Sequence, residues 1–162
     1  MIGIFEQEGL DISPEAIEPI HKYLGQTAER SVHIPIPDES FNPLRNQYDA
    51  AAIIDRMSTV LPGDYAYNLY VVNVDLYAPR MNFIFGLADQ LKKIALVSIY
   101  RLAGDDLIAR LGKEIVHEIG HLMGLHHCPD RDCVMRFSNT IADTDAKKPN
   151  LCNKCRRIIE TL

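Results

Sequence analysis

His117-Glu118-Ile119-Gly120-His121-Leu122-Met123-Gly124-Leu125-His126-His127 is the stretch on which the reading of this 162-residue chain turns. If residues 105 to 124 are helical, His117 and His121 sit one turn apart on one face, where both imidazoles can reach a single ion. Glu118 is one step round that face, too close in sequence to be a comfortable third ligand. It is well placed to hydrogen-bond a water at the metal, the general-base role of this pattern. Gly124 can take positive φ and let the chain leave the last turn sharply, which brings a third imidazole back toward the ion. Three neutral histidines leave a fourth position open for water, the mark of a catalytic rather than a structural zinc. A lone His-Glu-x-x-His also arises in helices that bind nothing, but the glycine and third histidine at these offsets argue against chance. His126 and His127 are adjacent, and the residues alone leave either as that third ligand.

All four cysteines, Cys128, Cys133, Cys152 and Cys155, fall after this stretch. Two disulfides would suit a small secreted domain. The N-terminal residues Met1 to Glu8 instead carry acidic groups where an export signal needs basic ones, and Cys152-Asn153-Lys154-Cys155 is a Cys-x-x-Cys knuckle. The expectation is four thiolates around a second, tetrahedral and therefore structural zinc. Its net charge of about −2 would be offset by Arg131, Lys154, Arg156 and Arg157 nearby. Lys147 and Lys148 read as part of the same solvated basic group.

The pattern His-Glu-x-x-His-x-x-Gly-x-x-His followed by a methionine is the metzincin signature. With Cys128 directly after His127, then Cys133-Val134-Met135 and Cys152 to Cys155, the run resembles the archaemetzincin family of metallopeptidases. It covers about a quarter of the chain, with looser similarity at Met81 to Gly86 and Val97 to Leu102. The resemblance implies a catalytic zinc beside a four-cysteine zinc, two ions per chain. It selects His127 over His126 as third ligand and makes Met135, otherwise ordinary core filling, the Met-turn support beneath the zinc ligands. Other metzincins sometimes place a tyrosine after this methionine to assist the oxyanion. Here Arg136-Phe137-Ser138-Asn139 follows, so that role has no assigned residue.

Length and composition set bounds on the rest. The chain suits one domain with a substantial core, with residues 1–124 a sheet–helix part and residues 125–162 a zinc-stapled C-terminal part. Apolar residues make up 47% and charged residues 24%, ordinary globular values, and the net charge is −5. Nucleic-acid binding needs clustered cations, so no nucleic-acid partner is expected. No apolar run approaches membrane-spanning length, and the expectation is a cytoplasmic protein, a monomer.

Taken in order, residues 1 to 5 read as a strand, and Ser13-Pro14 as the cap of a helix to about Leu24 with Pro19 as a defect within it. Ser31 to Ile36 is a second strand, with His33 a solvated or hydrogen-bonded residue. Residues 37 to 48 read as a loop and Asp49 to Leu61 as a helix. Tyr67 to Val74 is a buried strand and Asp75 to Pro79 a turn. By analogy with metzincins, Asn82 to Ala88 is the antiparallel edge strand bordering the cleft, along which a peptide or protein substrate would lie. The plainer alternative is an ordinary strand with Gly86 at a bulge. Ile94 to Tyr100 is another buried strand.

Gly104-Asp105-Asp106 opens the zinc helix, in which Ile108, Leu111, Ile115, Ile119 and Leu122 form the apolar stripe and Glu114, His117, Glu118 and His121 the opposite face. Beyond residue 124 few apolar residues remain, so that part should be held mainly by metals, with a short helix from about Asn153 to Thr161. The fold class is thus α+β or α/β and metzincin-like. It has a mixed, mostly parallel twisted sheet of about five strands with one antiparallel edge, packed on helices. The function implied is a zinc-dependent peptidase with Glu118 as base. The rival is a zinc-stabilised binding or regulatory module of the same fold that cleaves little or nothing.

Overall fold

The computed structural model describes residues 1–162. Its first strand, β1 (Ile2–Gln7), is buried on both faces, which is why it reads as a nearly unbroken apolar run rather than a clean alternation. Ser13 caps a 3₁₀ turn at Pro14–Ala16, and α1 (Glu18–Leu24) follows with Pro19 in its first turn. Pro19 therefore opens a second helical segment instead of kinking one long helix, because first-turn positions make no use of the missing N–H. Gly25, at φ 65°, ends α1 and turns the chain into β2 (Ala28–Ile34).

The stretch expected to be a loop holds β3 (Phe41–Asn42) and β4 (Gln47–Asp49). Asp49 then caps α2 (Ala50–Val60), its carboxylate accepting the N–H groups of Ala51 and Ala52. Next come β5 (Tyr67–Val72), β6 (Leu76–Tyr77), β7 (Gly86–Asp89), β8 (Ile94–Ser98) and α3 (Leu107–Leu122). α4 (Ile141–Ala146), which the sequence reading lacked, and α5 (Asn153–Glu160) complete the chain.

Five strands form one sheet in the order β2-β1-β5-β8-β7, parallel throughout except for β7, which runs antiparallel to β8 at the edge. β3, β4 and β6 form a separate small sheet. The edge strand is shorter than residues 82–88. Ile84 donates its N–H to the Leu76 carbonyl and bridges to the small sheet, so the pairing with β8 begins only at the Phe85 carbonyl, which accepts the Ser98 N–H, and runs on from Gly86. The carbonyls of Met81 and Asn82 are meanwhile held by Arg45 and Gln47.

Alternate side chains of the central strands feed two cores. Ile2, Ile4, Leu69, Val71, Ala95 and Val97 pack toward α1 and α3, and Phe5, Tyr70, Val72, Ile94 and Leu96 pack toward α2. α3 lies against α1, β7 and β8, which fixes its chemical face at the edge of the sheet. Its apolar stripe is as expected at Leu111, Ile115, Ile119 and Leu122, whereas Ile108 is 42% exposed, being on the first turn beyond the reach of the sheet. The C-terminal part is not held by metal donors alone. Leu125, Val134, Met135 and Leu151 are each at most 2% exposed and belong to the same core as α3, so burial of apolar surface ties this part down as well.

Candidate active site

α3 presents Glu114, His117, Glu118 and His121 on one side, the first three of them buried. Gly124, at φ 94°, makes the turn that the helix end needs, and the N–H of Leu125 returns to the carbonyl of Gly120. The carbonyl of Leu125 then accepts Nδ1–H of His121 at 2.8 Å, and that of Val134 accepts Nδ1–H of His117, also at 2.8 Å. Each bond fixes a neutral tautomer and leaves the Nε2 lone pair bare. Burial pushes the pKa of all three histidines down, and the nearby Lys147 ammonium lowers that of His117 further. Neutral imidazoles, the metal-binding form, are therefore favoured.

The donor set fits zinc. The Nε2 atoms of His117 and His121 face one another at 3.1 Å. Two bare lone pairs at that distance repel unless a cation lies between them, and tetrahedral Zn–N bonds of about 2.0–2.1 Å place neighbouring nitrogens roughly 3.3 Å apart. His127 joins them, the three ligand nitrogens lying within 4.8 Å of one another, while exposed His126 stays outside the group. Phe137 packs on the His127 ring, centroids 5.2 Å apart.

A cavity of about 580 Å³ opens over this group. β7 and the segment before it form one wall, α3 and its glycine turn the other, and Phe137 and Ser138 an end. Glu118 is 6% exposed. Burial holds its carboxyl well above the usual carboxylate range, Glu114 adds to that, and Lys147 opposes it. Gly86 is where the edge strand meets Glu118. A Cβ there would come within 2.8 Å of the Glu118 side chain and 2.7 Å of the Leu96 carbonyl. Close approach, not a bulge, explains this glycine.

Beneath the histidines, Met135 is fully buried, its Sδ 2.5 Å from where a Cβ on Gly120 would stand. It thus packs into the gap that Gly120 leaves between the two helical histidines. Its carbonyl accepts the N–H of Cys128.

The four cysteines are all free thiols and their sulfurs converge within 4.8 Å. Cys128 and Cys152 Sγ lie 3.8 Å apart, too far for a disulfide, at about 2.05 Å, and close to the roughly 3.8 Å spacing of tetrahedral Zn–S bonds. The seven metal donors expected from the sequence therefore fall into two clusters, His117, His121 and His127 in one and the four cysteines in the other. Lys147 is misplaced in that reading: it points inward, 1% exposed, and pairs with Glu114 at 3.1 Å. Its basic neighbourhood masked this, since only the fold brings Glu114 to it. α4, by contrast, had a legible signal in Thr140-x-x-Asp143, which forms a reciprocal capping box.

Comparison with known proteins converges on one family. The model of peptidase family M54 matches residues 29–161. The archaemetzincin of Methanopyrus kandleri is 38% identical over 146 residues, covering 88% of this chain and 83% of that protein. Its crystal structure superimposes with a TM-score of 0.90 at 33% identity, covering 99% of this chain and 93% of that one. The structure of a zinc-dependent peptidase from Methanocorpusculum labreanum gives 0.86 at 32% identity, covering 98% of this chain and all of the other.

Proposed function

This chain belongs to peptidase family M54, the archaemetzincin zinc metallopeptidases, and from that premise we propose that it cleaves peptide bonds at the His117–His121–His127 group with Glu118 as general base. The observation that carries the reading is the meeting of four things at one cavity: three converging histidines, two of them with bare Nε2 atoms, a buried carboxyl, an edge strand and open space. Zinc held by the three histidines would polarise the scissile carbonyl and lower the pKa of attacking water to about 7.

The chain's own residues do the rest. Glu118 takes the proton of the attacking water and passes it to the leaving amine nitrogen; its raised proton affinity suits holding that proton between the two steps. The Val134 and Leu125 carbonyls keep His117 and His121 in register. β7 offers main-chain groups along its outer edge, on which an extended substrate can pair without a fixed sequence. Gly86 lets that strand lie directly against Glu118. Met135 serves as packing under the ligands, not as a ligand.

Cys128, Cys133, Cys152 and Cys155 hold a second zinc with no position left for chemistry, giving two ions per chain. Residues 1–162 act as one domain, the part from 125 onward stapled by that ion. Four thiols kept for metal suit a reducing compartment, and the cytoplasm is the proposed site of action. A non-cleaving module is not favoured, since it would have no use for a buried carboxyl at an open cavity beside three histidines.

A peptide-library cleavage assay with the zinc-loaded protein, run beside Glu118→Gln, tests the reading. Wild type should cut, and the variant should keep its zinc and fold while losing about 10²–10⁴-fold in rate. Equal cleavage by both would remove Glu118 from the mechanism.

A further inference from the structure

Behind the histidine site lies an ion pair that the hydrolytic mechanism does not use. Lys147 is 0% and Glu114 3% exposed in its side chain, whereas every other ion pair keeps one partner more than a third exposed. The ammonium lies 3.1 Å from Glu114 Oε1, donates to the Arg136 carbonyl at 3.2 Å and stands 3.5 Å from Nδ1 of His117. Thr144 Oγ1 donates to the same Glu114 oxygen at 3.1 Å. A buried pair of this kind costs desolvation and is weak evidence of added stability, so its position calls for another explanation. The His117 Nδ1–H is already given to Val134, so the ammonium, paired with Glu114, stands beside the ring as a charge and not as a hydrogen-bond partner. Ligand histidines ordinarily meet only a carbonyl, carboxylate or water on that side, which raises their basicity. A cation there does the opposite.

We propose that Lys147 and Glu114 are a positioning pair that sets how strongly His117 donates to the zinc. The ammonium draws electron density from the imidazole, so the ion is held less tightly and remains a stronger acid. Glu114 fixes the ammonium in place and limits its effect. The inference rests on the three histidines being the zinc site.

Metal affinity separates charge tuning from mere support. Zinc competition against a chromophoric chelator, and the visible spectrum of the cobalt(II)-loaded full chain, would be recorded for wild type, Lys147→Met and Glu114→Gln. The expected result is a shift in opposite directions. Lys147→Met should bind zinc at the histidines about tenfold tighter and Glu114→Gln about tenfold weaker, the scale of such neighbours' effects. The cobalt–thiolate band of the cysteine site should stay unchanged as a control of fold. Loosening in both variants, or no shift in either, overturns the proposal. Should Lys147→Met fail to fold, read by loss of that band, Glu114→Gln decides alone, and an unchanged affinity refutes the pair's role. Wild type binding no metal at the histidines would instead refute the site itself.

Discussion

Two donor clusters share a peptide bond, His127 supplying one and Cys128 the other, yet they are built for opposite ends. The histidine cluster has three donor residues, with His127 exposed and a cavity of about 580 Å³ above it. The cysteine cluster has four, three of them buried, and none lines that cavity. On the proposed reading, ligand number and access, rather than the metal, would divide chemistry from structure. The clusters are also not independent. Cys133 stands directly before Val134, whose carbonyl orients His117, and before Met135, which packs under Gly120. A metal at the cysteines would therefore hold the loop that orients the histidines.

That division can be broken from the histidine side first. His127→Ala should lower kcat/KM by about 10³-fold, since a metal's contribution of several kcal/mol goes with it, while the melting temperature hardly changes because the side chain is exposed. Peptidase assay with calorimetry checks both. From the other side, Cys152→Ser should lower the melting temperature by more than about 10 °C. Binding free energy at a tetrathiolate zinc is folding free energy, and each kcal/mol is about 2–4 °C at this size. Some activity should follow, through Val134 and Met135. Unchanged melting with one zinc lost would deny that site its structural role.

A finer test sits where the clusters meet. Gly120→Ala forces a Cβ onto Met135 Sδ at an overpacking cost of about 1–3 kcal/mol, less about 1 kcal/mol returned as helix propensity. A modest fall in melting temperature with a larger fall in zinc retention at the histidines is expected; a rise in stability would mean that the methionine moves freely. Smallest of all, His126→Ala should change neither rate nor zinc content, because it stands outside both clusters. Loss of a zinc would exchange the roles of His126 and His127.

The same contrast explains what could be read ahead of the fold. The donor residues were legible because ligand spacing on a helix, and a Cys-x-x-Cys knuckle, are local facts of chain geometry. The buried strands β1, β5 and β8 were legible for a similar reason, since apolar runs of that length have few alternatives. What stayed hidden depends on distant partners. Gly86 reads as a bulge until Glu118 is seen against it. Lys147 reads as a solvated cation until α4 carries it to Glu114. The edge strand was placed too early, because Ile84 is claimed by the small sheet through Leu76, a pairing that no local pattern announces. Ile108 follows the helical period, but the period does not say where the sheet ends.

Diffraction at the zinc absorption edge, on crystals of the zinc-loaded protein, tests the division between the clusters most directly. Two anomalous peaks are expected. One is bound by an imidazole nitrogen from each of His117, His121 and His127, with its remaining position facing the cavity and filled by solvent or a small ligand; the other is bound by four Sγ atoms. A single peak at the cysteines, or a histidine-bound ion whose fourth ligand is a protein side chain, would contradict that division.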